Sequence, residues 1–109
     1  MTKIIIFKQE KLISGFQIKG HSGFAESGQD IVCSAVSTAS QMALVGLKEV
    51  LDLNVESNMK EGFLIVHLQK EDLQNEKAQT ILLSMEKTLQ SIADEYARFV
   101  KMEVKKDVY

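Results

Sequence analysis

The stretch DIVCSAVSTASQMALVGLKEVL, residues 30 to 51, decides how the rest of the chain is arranged. Ala35, Val36, Ala39, Met42, Ala43, Leu44, Val45, Gly46 and Leu47 leave it apolar nearly all round. A helix of that composition is buried on most sides. Its many small residues imply close approach to a sheet, another helix or a second subunit. Asp30 reads as the N-cap, because its carboxylate can accept hydrogen bonds from the exposed amides of a first turn. The helix is then predicted over residues 31 to about 51, with Cys33 as its third residue.

Working outward, the residues on either side read as strands. Residues 3 to 8 are rich in isoleucine, and Gln9-Glu10 reads as a tight turn. Leu12, Phe16 and Ile18 alternate with Ile13, Gln17 and Lys19, the pattern of a half-buried strand ending near Gly20. Residues 20 to 29 hold Gly20, Gly23 and Gly28 and form a loop. Beyond the helix, residues 54 to 58 and 62 to 68 make a second strand pair around Lys60-Glu61-Gly62. Leu64, Val66 and Leu68 share one face of the latter strand, and Phe63, Ile65 and His67 share the other.

Ala78, Ile81, Leu82, Met85, Leu89, Ile92, Ala93 and Tyr96 recur at steps of three and four. They predict an amphipathic helix over residues 73 to 98. Val100, Met102 and Val104 alternate with charged residues and suggest a final strand. The expectation is an α+β fold. A two-layer sheet of about five strands carries two helices in the order β-β-α-β-β-α-β, all in a single domain over residues 1–109.

The 109 residues suffice for one core but not two. With 13 basic residues against 15 acidic, the formal net charge is -2 and no basic patch stands out. Direct nucleic-acid binding, which needs clustered Lys and Arg, is therefore not expected. One cysteine cannot form an intramolecular disulfide. The amino-terminal apolar run is too short for a signal peptide, and no apolar run approaches membrane-spanning length. A cytoplasmic protein with no membrane partner is expected.

The chemistry concentrates before and inside the first helix, in GHSGFAESGQDIVCSAVS, residues 20 to 37. A free thiol titrates near pH ~8.5 and is mostly protonated at neutrality. A helix N-terminus, with its partial positive charge, favours a thiolate in the first turn. An imidazolium adds a full charge, and His21 lies upstream across a glycine-bearing loop. Asp30 alone would push the thiol the other way, so its expected role is to cap the helix or orient His21. Ser37, four residues after Cys33, shares its helix face and could hydrogen-bond the sulfur or a substrate carbonyl.

The plainer reading stands beside this one: a lone cysteine among small residues is often only packed. His67, among apolar strand residues, reads as core or sheet surface. His21, Asp30, Cys33 and His67 lack the close paired spacing of a zinc site, so neither metal nor cofactor is expected.

The segment resembles the signature of the ribosomal-processing cysteine protease family Prp. It reads Gly20-His21-Ser22, a short loop, then Gly28-Gln29-Asp30-Ile31-Val32-Cys33-Ser34. It departs from the family pattern at Ser22 and Ser34, where alanine is expected. The resemblance implies a thiol protease with Cys33 as nucleophile and His21 as general base; Asp30 and Ser37 are the supporting residues by their positions alone. It also implies a homodimer acting in ribosome biogenesis, removing the N-terminal extension of a large-subunit ribosomal protein precursor. The competing expectation is a non-enzymatic, ribosome-associated dimeric interaction module whose cysteine is buried and inert.

Overall fold

The run Ile4-Ile5-Ile6 near one end of the chain and the alternating Val100, Met102 and Val104 near the other meet in the same sheet. In the computed structural model, which describes residues 1–20 and 29–107, the strands are β1 (Thr2–Gln9), β2 (Leu12–Lys19), β3 (Glu56–Lys60), β4 (Phe63–His67) and β5 (Val100–Lys106). The helices are α1 (Gln29–Val45) and α2 (Glu76–Glu95). The strands line up as β3-β4-β2-β1-β5. Only the β1–β5 pair is parallel. A parallel pair needs a long crossover, and the chain between β1 and β5 contains both helices.

The core lies between one sheet face and the helices. Ile4, Ile6, Phe16, Ile18, Leu64 and Val66 from the strands pack with Val36, Ala43, Leu82, Met85 and Leu89 from α1 and α2. On the opposite sheet face Ile5, Phe7, Phe63, Ile65 and His67 remain half-buried. The α+β class and the predicted order of elements are therefore those of the structure.

Four local expectations are corrected. First, α1 begins at Gln29, so Asp30 is its second residue and Cys33 its fifth. Asp30 therefore lies within the helix rather than at the N-cap position expected for it. Second, α1 gives way at Gly46 to a π-helical turn, Gly46–Val50, rather than continuing to residue 51. A Cβ on Gly46 would come within 3.0 Å of Ile81, so glycine lets α1 and α2 approach there.

Third, α2 begins at Glu76, not near residue 73. Asn75 caps it by accepting a hydrogen bond from the Ala78 amide at 3.0 Å, and a 3-10 turn precedes it at Lys70–Asp72. Fourth, Ile13 rather than Leu12 faces the core, at 1% exposed. Phe7 pairs with Gly15 but Lys8 with Ile13, leaving Ser14 as an extra residue. Such a bulge reverses the alternation beyond it.

Gln79 of α2 anchors that irregular stretch. Its side chain accepts from the Ile13 amide at 2.9 Å and donates to the Ile13 and Leu73 carbonyls, each at 2.8 Å.

One helical segment, Ile31–Val50, has the length and composition to cross a membrane, which amends the expectation that no run does. Its inner face carries Val36, Ala43 and Leu47, all wholly buried in the core with the strands and α2.

Candidate active site

Three elements converge where Cys33 lies. Thr2 opens β1, Gly20 follows β2, and Glu61-Gly62 turn the chain from β3 into β4. The Gly20 amide donates to the Gly62 carbonyl at 3.0 Å, fixing the hairpin turn against the end of β2. Thr2, Ile18, Gly20, Cys33, Ser37, Glu61 and Gly62 line a cavity of about 120 Å³.

Cys33 is half-buried and belongs to that cavity, so its sulfur is not sealed in the core as the inert-cysteine expectation required. Helical side chains lean toward the N-terminus of their helix. The sulfur of the fifth residue of α1 is thus directed back toward the first turn. The first four amides of a helix have no intrahelical acceptor, and they concentrate the positive end of its dipole.

Thr2 Oγ1 stands 3.1 Å from Cys33 Sγ. Gly20 makes this possible. It has φ 154°, and an added Cβ would fall 2.8 Å from both the Met1 carbonyl oxygen and Thr2 Cα. Ser37 lines the same cavity one helical turn beyond Cys33. Below it, the wholly buried Ser40 hydroxyl lies 2.9 Å from the Val36 carbonyl oxygen and 3.0 Å from that of Ser37.

Of the predicted site residues, Cys33 and Ser37 are brought together. His21 lies outside the described residues, and of Asp30 only its place in the first turn of α1 is described. Gly20, the residue bonded to His21, is itself part of the cavity wall. Thr2, Glu61 and Gly62 went unnoticed in the sequence. A signal existed for Thr2, which stands in phase with the core residues Ile4 and Ile6.

His67 has no part here. It pairs with Gly15, four residues along β4 from Phe63 and so about 13 Å from the Cys33 end of the sheet. It stacks on Phe7 at 5.0 Å, and its Nδ1 lies 3.8 Å from Asp107 Oδ2. Ser14 Oγ donates to the same carboxylate oxygen at 2.6 Å. These are the residue types of a hydrolytic triad without its geometry. Ser14 is wholly buried, and its hydroxyl serves the carboxylate rather than the imidazole. The cluster instead fastens the end of β5 over the bulge, helped by the Asp107 amide donating to the Lys8 carbonyl at 2.7 Å. Among the described residues no three His, Cys, Asp or Glu side chains gather as metal ligands.

Known proteins resemble the chain over nearly its whole length. The profile of the family described as Cysteine protease Prp matches residues 1–101. The ribosomal processing cysteine protease Prp of Staphylococcus aureus is 33% identical over 109 residues, covering 96% of this chain and 99% of the relative. Among solved structures, SMU.848 from Streptococcus mutans superposes with a TM-score of 0.89 at 25% identity, covering 98% of this chain and 96% of that one. The S. aureus protease Prp in complex with a covalently linked product peptide gives 0.83 at 25% identity, covering 96% and 100%.

Proposed function

We propose a mechanism and a substrate for this chain, which belongs to the cysteine protease Prp family and is a peptide hydrolase. Cys33 is the nucleophile and His21 the general base. The observation that carries this reading is the cavity that holds both the half-buried thiol and Gly20, the residue joined to His21.

In the reaction His21 takes the Cys33 proton and the sulfur attacks the scissile carbonyl carbon. The oxyanion that forms is held by unpaired amides of the first turn of α1. The C–N bond then breaks, and the leaving amine takes the proton from the imidazolium. Water, deprotonated by His21, cleaves the thioester and restores the thiol. Ser37, on the same helix face, is placed to hydrogen-bond the substrate backbone.

The substrate is the N-terminal extension of a large-subunit ribosomal protein. Support comes from the name of the S. aureus relative and from the peptide held covalently in its structure. Incubating an N-terminally extended ribosomal protein with wild type, Cys33→Ala and His21→Ala tests both assignments. Wild type removes the extension, while each variant loses at least about a thousandfold in rate. Undiminished cleavage by Cys33→Ala would remove the thiol from the mechanism.

The active form is a homodimer joined through the exposed face of α1. Ile31, Met42 and Val45 are 76%, 56% and 46% exposed and lie on one stripe with Ala35 and Thr38. No charged residue occurs between Asp30 and Lys48. An uncharged stripe with small residues suits a two-fold contact, in which one patch must accept its own copy.

A further inference from the structure

We infer that Thr2 is a positioning residue for Cys33, holding the sulfur and stabilising its thiolate. This rests on the reading of Cys33 as the nucleophile. Thr2 is 3% exposed, yet it is polar at a position in phase with the wholly buried Ile4 and Ile6. A buried hydroxyl without a partner is costly. The partner this one has is the Cys33 sulfur, 3.1 Å away and 31 residues along the chain.

The hydroxyl is held in place from three directions. The Thr2 amide donates to the Phe99 carbonyl at 2.9 Å. Its backbone is paired with Val100 across the parallel β1–β5 ladder. Gly20 lies flush against its Cα, with Thr2 Oγ1 3.2 Å from where a Cβ would stand.

The chemistry gives this contact a direction. With the neutral thiol, either atom can donate. A thiolate can only accept, so the Thr2 hydroxyl then donates to it without moving. A hydrogen bond made to the charged form favours that form. Glu61 is the charged residue lining the cavity among the described ones, and its carboxylate opposes a thiolate. Asp30 lies in the first turn of the same helix, and His21 follows Gly20. All three are unchanged between variants at Thr2, so a difference between those variants belongs to the hydroxyl.

The test compares the pH dependence of iodoacetamide labelling of Cys33 in wild type, Thr2→Val and Thr2→Ser, with kcat/KM for peptide cleavage beside it. Valine keeps the shape and removes the hydroxyl; serine keeps the hydroxyl. The expected result is a labelling midpoint about one pH unit higher in Thr2→Val, with about tenfold slower labelling at neutral pH. Rates at high pH stay similar, and Thr2→Ser keeps the wild-type midpoint. An unchanged midpoint in Thr2→Val, or a shift in Thr2→Ser as large as in Thr2→Val, overturns the inference. Labelling is read without turnover. Full cleavage by Cys33→Ala would therefore sink the nucleophile assignment while leaving the Thr2–Cys33 result to be judged separately.

Discussion

A hydroxyl, a thiol and a glycine meet at one end of the sheet, and each constrains the others. Gly20 adopts a positive φ with Met1 and Thr2 packed on its α-carbon. Gly20→Ala therefore has to move the start of β1 as well as tolerate a strained backbone. The expected loss of stability is about 1–3 kcal/mol in chemical denaturation. Cleavage should fall as well, because Thr2 and Cys33 are displaced with it. A Gly20→Ala protein with wild-type denaturation midpoint and activity would show that this close approach is unimportant. The thiol stood out in the sequence as a candidate by residue type and position, and its pairing with His21 came only with the family resemblance. The threonine did not stand out, because its contact with Cys33 spans 31 residues. Only strand phase hinted that Thr2 faces inward. The position of Asp30 differs from expectation for a local reason: the helix starts two residues earlier than a cap at residue 30 allows.

At the scale of elements, periodicity carried the reading and failed where periodicity breaks. Most elements follow from apolar runs of period two or near 3.6, whereas β3, exposed at all five of its residues, follows only from its place before the Glu61-Gly62 turn. The bulge at Ser14 was not legible, since an unbroken alternation over residues 12 to 19 assigns Leu12 to the core. Gln79 compensates for that irregularity with three hydrogen bonds from its amide. Gln79→Ala leaves the Ile13 amide and carbonyl without these partners, so unfolding should require about 1–3 kcal/mol less. A change below the error of a urea titration would mean water replaces the amide freely. The cap of α2 is a smaller effect. Asn75→Ala should cost about 1 kcal/mol by the same measurement, and Asn75→Asp should retain most of the stability.

The whole molecule places its two polar clusters at opposite ends of one sheet. Ser14, His67 and Asp107 close the end where β5 finishes, while Thr2, Cys33 and Ser37 open the other onto a cavity. The first cluster is a fastening and the second the candidate site, because the second sets a thiol in the wall of a cavity. The exposed stripe of α1 begins beside that site, with Ile31 two residues before Cys33. Self-association through it would bring two cavities near one another. Light scattering on the purified protein should give twice the monomer mass, and Met42→Lys should give the monomer. A monomeric wild type at all accessible concentrations would contradict the dimer and leave the dyad untouched.

The central claim, that Cys33 attacks the peptide carbonyl, is tested most directly by trapping the intermediate. Wild-type protein is acid-quenched during turnover of an N-terminally extended ribosomal protein. Intact and peptide-mapped mass spectrometry then reports any covalent adduct. The account predicts an added mass equal to the free N-terminal extension peptide minus water, located on Cys33, and absent from Cys33→Ala. An adduct on another residue, or continued cleavage by Cys33→Ala, would contradict it.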